Sequence, residues 1–177
     1  MARPTDVLCQ HPRILFVGIN PSATSGKVGH HFAGPGNPFY RLLHEAGLVP
    51  ELLTAAEDHR LPEWGYALVN LCARPTKTAS ELERSELARG RKKLVDKIRA
   101  IRPETVALVG ITLYPIVCGR TGEPGPGAKT DTIEGARVFV LPNPSGLNAS
   151  FPTFATKLPW FQELRAFASG KPVPKST

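Results

Sequence analysis

Two asparagines, Asn20 and Asn143, occupy the positions in this sequence that are best placed for chemistry. Asn20 follows the apolar run Ile14 to Val17, Asn143 follows the run Val138 to Leu141, and each asparagine is followed by Pro-Ser. Such short apolar runs are typical of strands buried on both faces of an α/β sheet. Open α/β sheets bind their ligands at the carboxyl ends of their strands. If the two strands lie side by side, the two turns form one pocket lined with side-chain amides and backbone groups.

Side-chain amides suit a planar, amide-like ligand, because each offers a donor and an acceptor. They can also orient a water molecule, but they cannot deprotonate it. Phe32 lies in the glycine-rich segment Thr24 to Gly36, which we interpret as a polar loop, and its ring could stack on such a ligand. Each asparagine could instead close an Asx-turn with its own backbone. For either residue alone, this structural role remains an open alternative.

Three other kinds of site fit the sequence less well. Residues 18 to 28 look like a phosphate-binding loop, but Pro21 stands where that pattern requires glycine and Val28 where it requires Ser or Thr. The five histidines show no metal-binding spacing, and His30 and His31 are adjacent. The nucleophile-elbow pattern G-x-S-x-G is absent. We therefore expect neither a metal nor a cofactor.

The composition indicates a folded, basic protein. Its 177 residues are 41% hydrophobic and 21% charged, with a net charge of +7, which is enough for one domain with its own core. We expect a single domain over residues 1–168 and a disordered tail over residues 169–177. The positive charge favours an acidic partner, first nucleic acid and second an anionic membrane surface, although a basic surface can also serve solubility alone.

Cysteine usage and hydropathy bear on the compartment. Cys9, Cys72 and Cys118 are far apart and form no C-x-x-C pair, which favours reduced thiols in a cytosol-like compartment. No apolar run approaches the roughly 18 residues of a membrane span, and the N-terminus lacks the apolar region of a signal peptide. We expect a cytoplasmic protein that does not enter a membrane.

The elements that must position these residues alternate along the chain. The predicted strands are Ile14 to Val17, Tyr66 to Leu71, Thr105 to Val109 and Arg137 to Leu141. The first two predicted helices run from Asn37-Pro38 to Gly47 and, after a Thr54 and Glu57 capping box, to Pro62. The third begins at a Ser80 and Glu83 capping box and reaches about Ile101, the fourth runs from Thr112 to about Cys118, and the last begins near Pro159. We interpret Gly119 to Thr132 as a loop. Because crossovers between parallel strands are right-handed, this order predicts an α/β fold whose mostly parallel sheet lies between two helix layers.

Two motifs resemble those of a known enzyme family. The segments Gly18-Ile19-Asn20-Pro21-Ser22 and Asn143-Pro144-Ser145-Gly146-Leu147-Asn148 are similar to the signature motifs of the mismatch-specific uracil-DNA glycosylase and thymine-DNA glycosylase family. The likeness continues in the same order from residue 13 to residue 167, through Phe32-Ala33, Asn37-Pro38-Phe39-Tyr40, Val69-Asn70-Leu71, Arg74-Pro75-Thr76 and Gly90-Arg91-Lys92. The resemblance implies a three-layer α/β/α sandwich with a central four-stranded, mostly parallel sheet.

The resemblance also implies a role for each matching residue. Asn20 would hold the attacking water, the Ile19 backbone would contact the base, and Phe32 would stack on the flipped uracil. Asn143 stands where other uracil-DNA glycosylases place a histidine against the departing base. Further members of the implied site are Ser25 and Asn70 in the substrate pocket and Ser145, Gly146, Leu147 and Asn148 in the DNA-binding wedge. Ser22 and Asn70 depart from relatives that carry glycine and lysine at these two positions.

The activity implied by the resemblance is hydrolysis of the N-glycosidic bond of mispaired uracil in double-stranded DNA, which leaves an abasic site. Cleavage builds positive charge on the sugar and negative charge on the base, so a positioned water and electrostatic stabilisation suffice without a strong general base. The base must first leave the stack, at a cost that is least for a mispaired base. We expect a monomer that needs no cofactor and associates with the nucleoid through DNA.

Two other functions remain open at this stage. An iron–sulfur uracil-DNA glycosylase would need four cysteine ligands, whereas this chain has three cysteines. A non-catalytic module that recognises damaged or single-stranded DNA would use basic and stacking aromatic side chains, and only 7% of the residues are aromatic. The basic residues nearest the motif-bearing loops are Lys27, Arg74, Arg91, Lys92, Lys93 and Lys129.

Overall fold

A five-stranded sheet forms the centre of the protein. The computed structural model describes residues 3–119, 123–145 and 148–170. The strands are β1 (Ile14–Gly18), β2 (Tyr66–Asn70), β3 (Thr105–Val109), β4 (Gly127–Ile133) and β5 (Ala136–Leu141). Their order in the sheet is β2-β1-β3-β5-β4, in which β2, β1, β3 and β5 are parallel and β4 is antiparallel to β5.

Helices cover both faces of this sheet. The α-helices are α1 (Ala23–Val28), α2 (Phe39–Glu45), α3 (Arg84–Ile101), α4 (Leu113–Cys118) and α5 (Phe154–Ala168), and two 3-10 helices span Ala55–Trp64 and Ala79–Glu81. One core cluster joins Phe16 and Phe139 of the sheet to Phe161 of α5 and to α2. The other joins Val17 of the opposite face to Leu94 of α3 and to α4. The α/β/α arrangement predicted from the sequence is confirmed.

The predicted number of strands is wrong, because all of β4 except Ile133 lies within the segment that we interpreted as a loop. Along β4 the buried positions Gly127 and Ile133 enclose five residues, four of them polar, that are all half-buried or exposed. Such a pattern has no apolar run to reveal it, since β4 is an edge strand that pairs only with β5 among the described strands. The chain reverses between β4 and β5 at Glu134 and Gly135, whose φ angles of 50° and 85° are those of a tight hairpin turn.

Two helices also differ from the prediction. Helix α1 occupies part of the segment that we interpreted as a loop after β1, and the Ser22 hydroxyl caps it by accepting from the Ser25 N–H. Helix α5 begins at Phe154, because the Thr153 hydroxyl accepts from the Thr156 N–H at 3.2 Å and caps the helix there. Pro159 therefore lies inside α5, where a proline removes one backbone hydrogen bond without ending the helix.

The 3-10 helices account for two further differences. The predicted Thr54 and Glu57 pair is confirmed as a cap, since Glu57 Oε1 accepts from the Thr54 N–H at 3.1 Å, but the helix is 3-10 and includes Pro62. In the next connection the cap pairs Thr78 with Glu81, not Ser80 with Glu83, and α3 begins at Arg84.

Gly90 brings α3 against the end of β2. A Cβ atom at this position would lie 2.4 Å from the backbone oxygen of Leu71, so only glycine permits the observed approach. Helix α3 runs unbroken through Gly90 to Ile101. The close contact thus supports the segment that follows Asn70. Within the described ranges, no helix has the length and apolar character that a membrane crossing requires.

Candidate active site

A cavity of about 450 Å³ opens at the carboxyl ends of the parallel strands. Ile19 and Asn20 follow β1, Asn70 ends β2, Val109 ends β3 and Asn143 follows β5, and all five residues line the cavity. The chain crosses from β1 to β2 on one side and then from β2 to β3 on the other side of β1, so the direction of strand addition reverses at β1. This is the switch point at which open α/β sheets form their ligand crevice. Residues of both Asn-Pro-Ser turns line this one cavity, as predicted. The expectation that their two strands lie side by side is wrong, because β3 lies between β1 and β5.

Asn20 is held with its amide in one orientation. Its Nδ2 donates to the Arg74 carbonyl at 2.9 Å and to Thr76 Oγ1 at 2.7 Å. A carbonyl only accepts, so these contacts identify the nitrogen side of the amide and use both of its N–H groups. Thr76 Oγ1 in turn donates to the Thr78 carbonyl at 2.8 Å. The Asn20 Oδ1 has no protein partner within the described part of the chain and is free to accept from water or a ligand.

The main chain that carries Asn20 continues the β1–β2 pairing beyond the sheet. The Leu71 and Cys72 N–H groups donate to the carbonyls of Gly18 and Ile19, each at 2.8 Å. Further along, the Thr76 N–H donates to the Pro21 carbonyl at 3.2 Å. These bonds place the loop after β2 beside the loop after β1, which puts Thr76 within reach of the Asn20 side chain.

Phe32 enters the cavity from a strained backbone position. Its φ angle is 51°, a conformation that is rare for an aromatic residue and that recurs at functional sites. The flanking backbone is held on both sides, because Tyr40 Oη donates to the His31 carbonyl at 2.6 Å and the Ala33 N–H donates to Ser25 Oγ at 3.0 Å. The Phe32 ring also stacks on Phe39 at a centroid distance of 4.1 Å. Ser25 lines the cavity, but it is buried and supports the Phe32 loop.

Asn70 is oriented by a histidine that the sequence analysis did not select. His31 is buried, and its Nε2 lies 2.8 Å from the Thr5 carbonyl, so Nε2 carries the proton. Burial holds the pKa of His31 below its ordinary value of 6.5 and favours the neutral ring. The unprotonated Nδ1 then accepts from Asn70 Nδ2 at 3.4 Å. These two hydrogen bonds, from His31 to the Thr5 carbonyl and from Asn70 to His31, fix which end of the Asn70 amide is nitrogen.

Gly18 allows Asn70 and Phe32 to meet over the end of β1. A Cβ atom on Gly18 would lie 2.6 Å from Asn70 Oδ1 and 3.4 Å from Phe32 Cζ. The Asn70 carbonyl oxygen therefore lies over the backbone of Gly18, beside the Phe32 ring. An amide edge and an aromatic ring meet at one end of the cavity, where they suit a planar ligand with hydrogen-bonding groups on its rim.

Asn143 adopts the Asx-turn that the sequence analysis held open as an alternative. Its Oδ1 accepts from the Ser145 N–H at 3.0 Å. The backbone oxygen of Asn143 accepts from Asn148 Nδ2 at 3.3 Å. This turn does not exclude a role toward a ligand, because the Asn143 Nδ2 has no protein partner within the described residues and Asn143 lines the cavity. Gly146 and Leu147, which we predicted in the wedge, lie outside the described residues.

The basic residues fall into two groups. Arg74 pairs with Glu86 at 2.8 Å, Arg91 donates to the Val117 carbonyl at 2.8 Å, and Lys129 donates to the Glu123 carbonyl at 2.8 Å. By contrast, Lys27, Lys92 and Lys93 of the same six predicted residues are exposed and have no ion-pair partner in the described ranges. The sequence analysis missed Lys77, which is exposed and lines the cavity. Its position beside Thr76 is the only sequence signal that could have indicated it.

No group of three or more His, Cys, Asp or Glu residues that could hold a metal ion exists in the described ranges. The cavity instead presents amides, hydroxyls, an aromatic ring and the ammonium group of Lys77. These groups can bind a neutral planar ligand, orient a water molecule and attract an anion.

A comparison with protein families matches residues 5–165 to the model described as "Uracil DNA glycosylase superfamily". The matched range begins before β1 and ends within α5, so it includes all five strands. It also includes every described residue that lines the cavity. The match therefore covers the fold and the candidate site together.

The buried, neutral His31 should make stability depend on pH. Because its folded pKa lies below its unfolded value of about 6.5, its contribution is complete above that value and is lost as the pH falls below it. We expect His31→Gln to flatten the fall in unfolding free energy below about pH 6.5 in urea titrations. The matched control is His59→Gln at an exposed histidine. A wild-type slope in His31→Gln would contradict the assignment.

Proposed function

The chain belongs to the uracil DNA glycosylase superfamily and is thus a DNA N-glycosylase that acts on uracil; from this premise we propose that its substrate is uracil mispaired with guanine in duplex DNA. The enzyme flips the uracil into the cavity and hydrolyses its N-glycosidic bond, and the product is an abasic site. Flipping costs a few kcal/mol and is cheapest for a mispaired base. Uracil paired with adenine is then a weaker substrate.

The orientation of the Asn20 amide is the observation that carries the proposed mechanism. Both N–H groups of Asn20 are held by Arg74 and Thr76, so its carbonyl oxygen is left to accept from the attacking water. Asparagine has no usable pKa and cannot deprotonate that water. It can place the water beside the sugar carbon as positive charge develops there, and the base leaves as an anion. We expect slow chemistry that needs no titrating base.

The proposed base site lies between Phe32 and Asn70. Phe32 offers a ring face, and the Asn70 amide offers an acceptor for the N3–H of uracil and a donor for one of its carbonyl oxygens. The Ser22 to Ser25 segment is tied by the 3.1 Å bond from the Ser25 N–H to Ser22 Oγ, which supports its role as a wall against the C5-methyl of thymine. On this basis, thymine opposite guanine is a poorer substrate than uracil.

A labelled duplex containing one G·U pair tests the function directly. The enzyme is incubated with the duplex under single-turnover conditions, the product is treated with alkali, and strand scission at uracil is measured. G·U, A·U and G·T duplexes are compared, with the expected rate order G·U, then A·U, then G·T. Binding without abasic-site formation would favour the alternative, a non-catalytic module that recognises damaged or single-stranded DNA.

We expect Asn20→Ala to lose most cleavage of the G·U duplex while keeping its affinity for it, because phosphate contacts dominate affinity in DNA complexes. Asn20→Asp should retain measurable activity and gain a pH dependence, since a carboxylate can act as a base. Single-turnover rates and gel-shift affinities measure the two effects separately. An Asn20→Ala enzyme as fast as the wild type would refute the water-positioning role.

We also propose that Leu147, with Ser145, Gly146 and Asn148, fills the space that the flipped base leaves in the duplex. An apolar side chain on a turn can hold such a space open. Leu147→Ala should then slow cleavage of duplex G·U much more than cleavage of single-stranded uracil, with a nearly unchanged melting temperature. A core residue would instead be indicated by equal losses of activity on both substrates together with a drop in melting temperature. That drop would correspond to the loss of about 2–5 kcal/mol of unfolding free energy that truncation of a core leucine causes.

The exposed lysines that have no ion-pair partner in the described ranges should set the salt dependence of DNA binding. Each lost phosphate contact reduces the slope of log K against log salt by about 0.9. We expect Lys77→Ala, Lys92→Ala or Lys93→Ala to reduce the slope wherever the residue touches phosphate, with Lys77 the first candidate because it lines the cavity. The matched control is Arg60→Gln, since Arg60 already pairs with three carboxylates. A slope that is unchanged in all three variants would place these charges away from DNA.

A further inference from the structure

Lys157 is a buried cation that the mechanism above does not use. It lies in α5, and only 2% of its surface is exposed. Its Nζ donates to the Ser145 carbonyl at 3.3 Å. The ion pairs found among the described residues do not include Lys157. An ammonium group is therefore held in the interior by contact with the Asn143 turn rather than by a carboxylate.

Stability alone does not explain such a group. Transfer of an ammonium from water to the protein interior is costly, and one long hydrogen bond to a neutral carbonyl offsets little of that cost. Desolvation accordingly lowers the pKa of Lys157. Replacement of buried charges by apolar side chains of similar volume is often neutral or stabilising. A methionine at this position would fill similar space without the charge.

The contact made by Lys157 leads to the cavity through a short series of hydrogen bonds. The Ser145 carbonyl that Lys157 holds and the Ser145 N–H that donates to Asn143 Oδ1 at 3.0 Å lie in two adjacent peptide units, which meet at the Cα atom of Ser145. That bond occupies the oxygen side of the Asn143 amide and leaves its Nδ2 as the group available at the cavity. A rotation of Ser145 would break the Asx-turn and release the Asn143 side chain.

We propose that Lys157 is a positioning residue for the glycosylase reaction: by donating to the Ser145 carbonyl it holds the Asx-turn that aims the Asn143 amide at the departing base. This inference rests on the proposed function and deepens it. Lys157 itself touches neither DNA nor uracil, since it is buried. Its effect therefore falls on the rate of the chemical step and not on affinity for DNA.

The decisive variant is Lys157→Met, with Leu164→Ala as a matched control in the same helix. Leu164 is fully buried in α5 and has no role in the site. We expect Lys157→Met to keep or raise the melting temperature while it lowers the maximal single-turnover rate on G·U by about ten-fold or more, because misplacement by about 1 Å can cost about 100-fold. Its Kd for the duplex should stay within two-fold. Leu164→Ala should lower the melting temperature and leave the rate unchanged at 25 °C.

A double-mutant cycle with Asn143→Ala identifies the route of the effect. If Lys157 acts through Asn143, Lys157→Met should slow the Asn143→Ala enzyme by less than two-fold. An equal slowing in both backgrounds, a wild-type rate in Lys157→Met, or a loss confined to Kd would each overturn the inference.

A measurement without DNA separates this inference from the proposed function. In 15N-labelled protein, the side-chain amide signals of Asn143 should shift in Lys157→Met and not in Leu164→Ala. A wild-type enzyme that cleaves no uracil would overturn the proposed function, while the amide signals would still decide whether Lys157 holds Asn143. Unchanged signals would overturn the inference even if the wild type cleaves G·U.

Discussion

The hydrogen bonds from Asn20 Nδ2 to the Arg74 carbonyl and Thr76 Oγ1 are the contacts on which the site depends. They join two loops that are more than 50 positions apart in the sequence, so they exist only because β1 and β2 pair and their backbones stay paired beyond the sheet. Gly90 lets α3 approach the Leu71 carbonyl closely, which supports the second of these loops. The direction of one carbonyl oxygen is thus set by the packing of a sheet edge against a helix.

The three asparagines of the cavity follow the same physical rule. An amide has a donor end and an acceptor end, and a protein contact to one end decides which group the other end presents. Asn20 has its nitrogen held and presents oxygen, whereas Asn143 has its oxygen held by Ser145 and presents nitrogen. Asn70 is oriented through His31, whose neutral state and tautomer follow from burial and the Thr5 carbonyl. A site built from such fixed amides can act without titrating, which suits a reaction whose leaving group departs as an anion.

Charge is arranged differently on the surface and in the interior of the protein. Several arginines near the loops are already held by protein partners, so the total of 22 Lys and Arg residues overstates the number of cations available to DNA. The exposed lysines without ion-pair partners in the described ranges, Lys77 among them, are the better candidates for phosphate contacts. Lys157 is the opposite case, since its charge is buried and acts on a carbonyl of the site instead of on a ligand.

The sequence by itself determined the four parallel strands, the α/β class, and the placement of Asn20 and Asn143 at the ends of their strands. These features were predictable because an apolar run and the polar turn after it are adjacent in the chain, and a buried strand needs both. Tertiary structure alone decided β4, which has no apolar run because it lies at the sheet edge, and the start of α5, where the Thr153 cap prevails over Pro159. It also decided the amide partners His31 and Thr76 and the contact of Lys157 with Ser145. Hydrogen bonds between residues distant in sequence depend on how the sheet and helices pack and leave no local pattern.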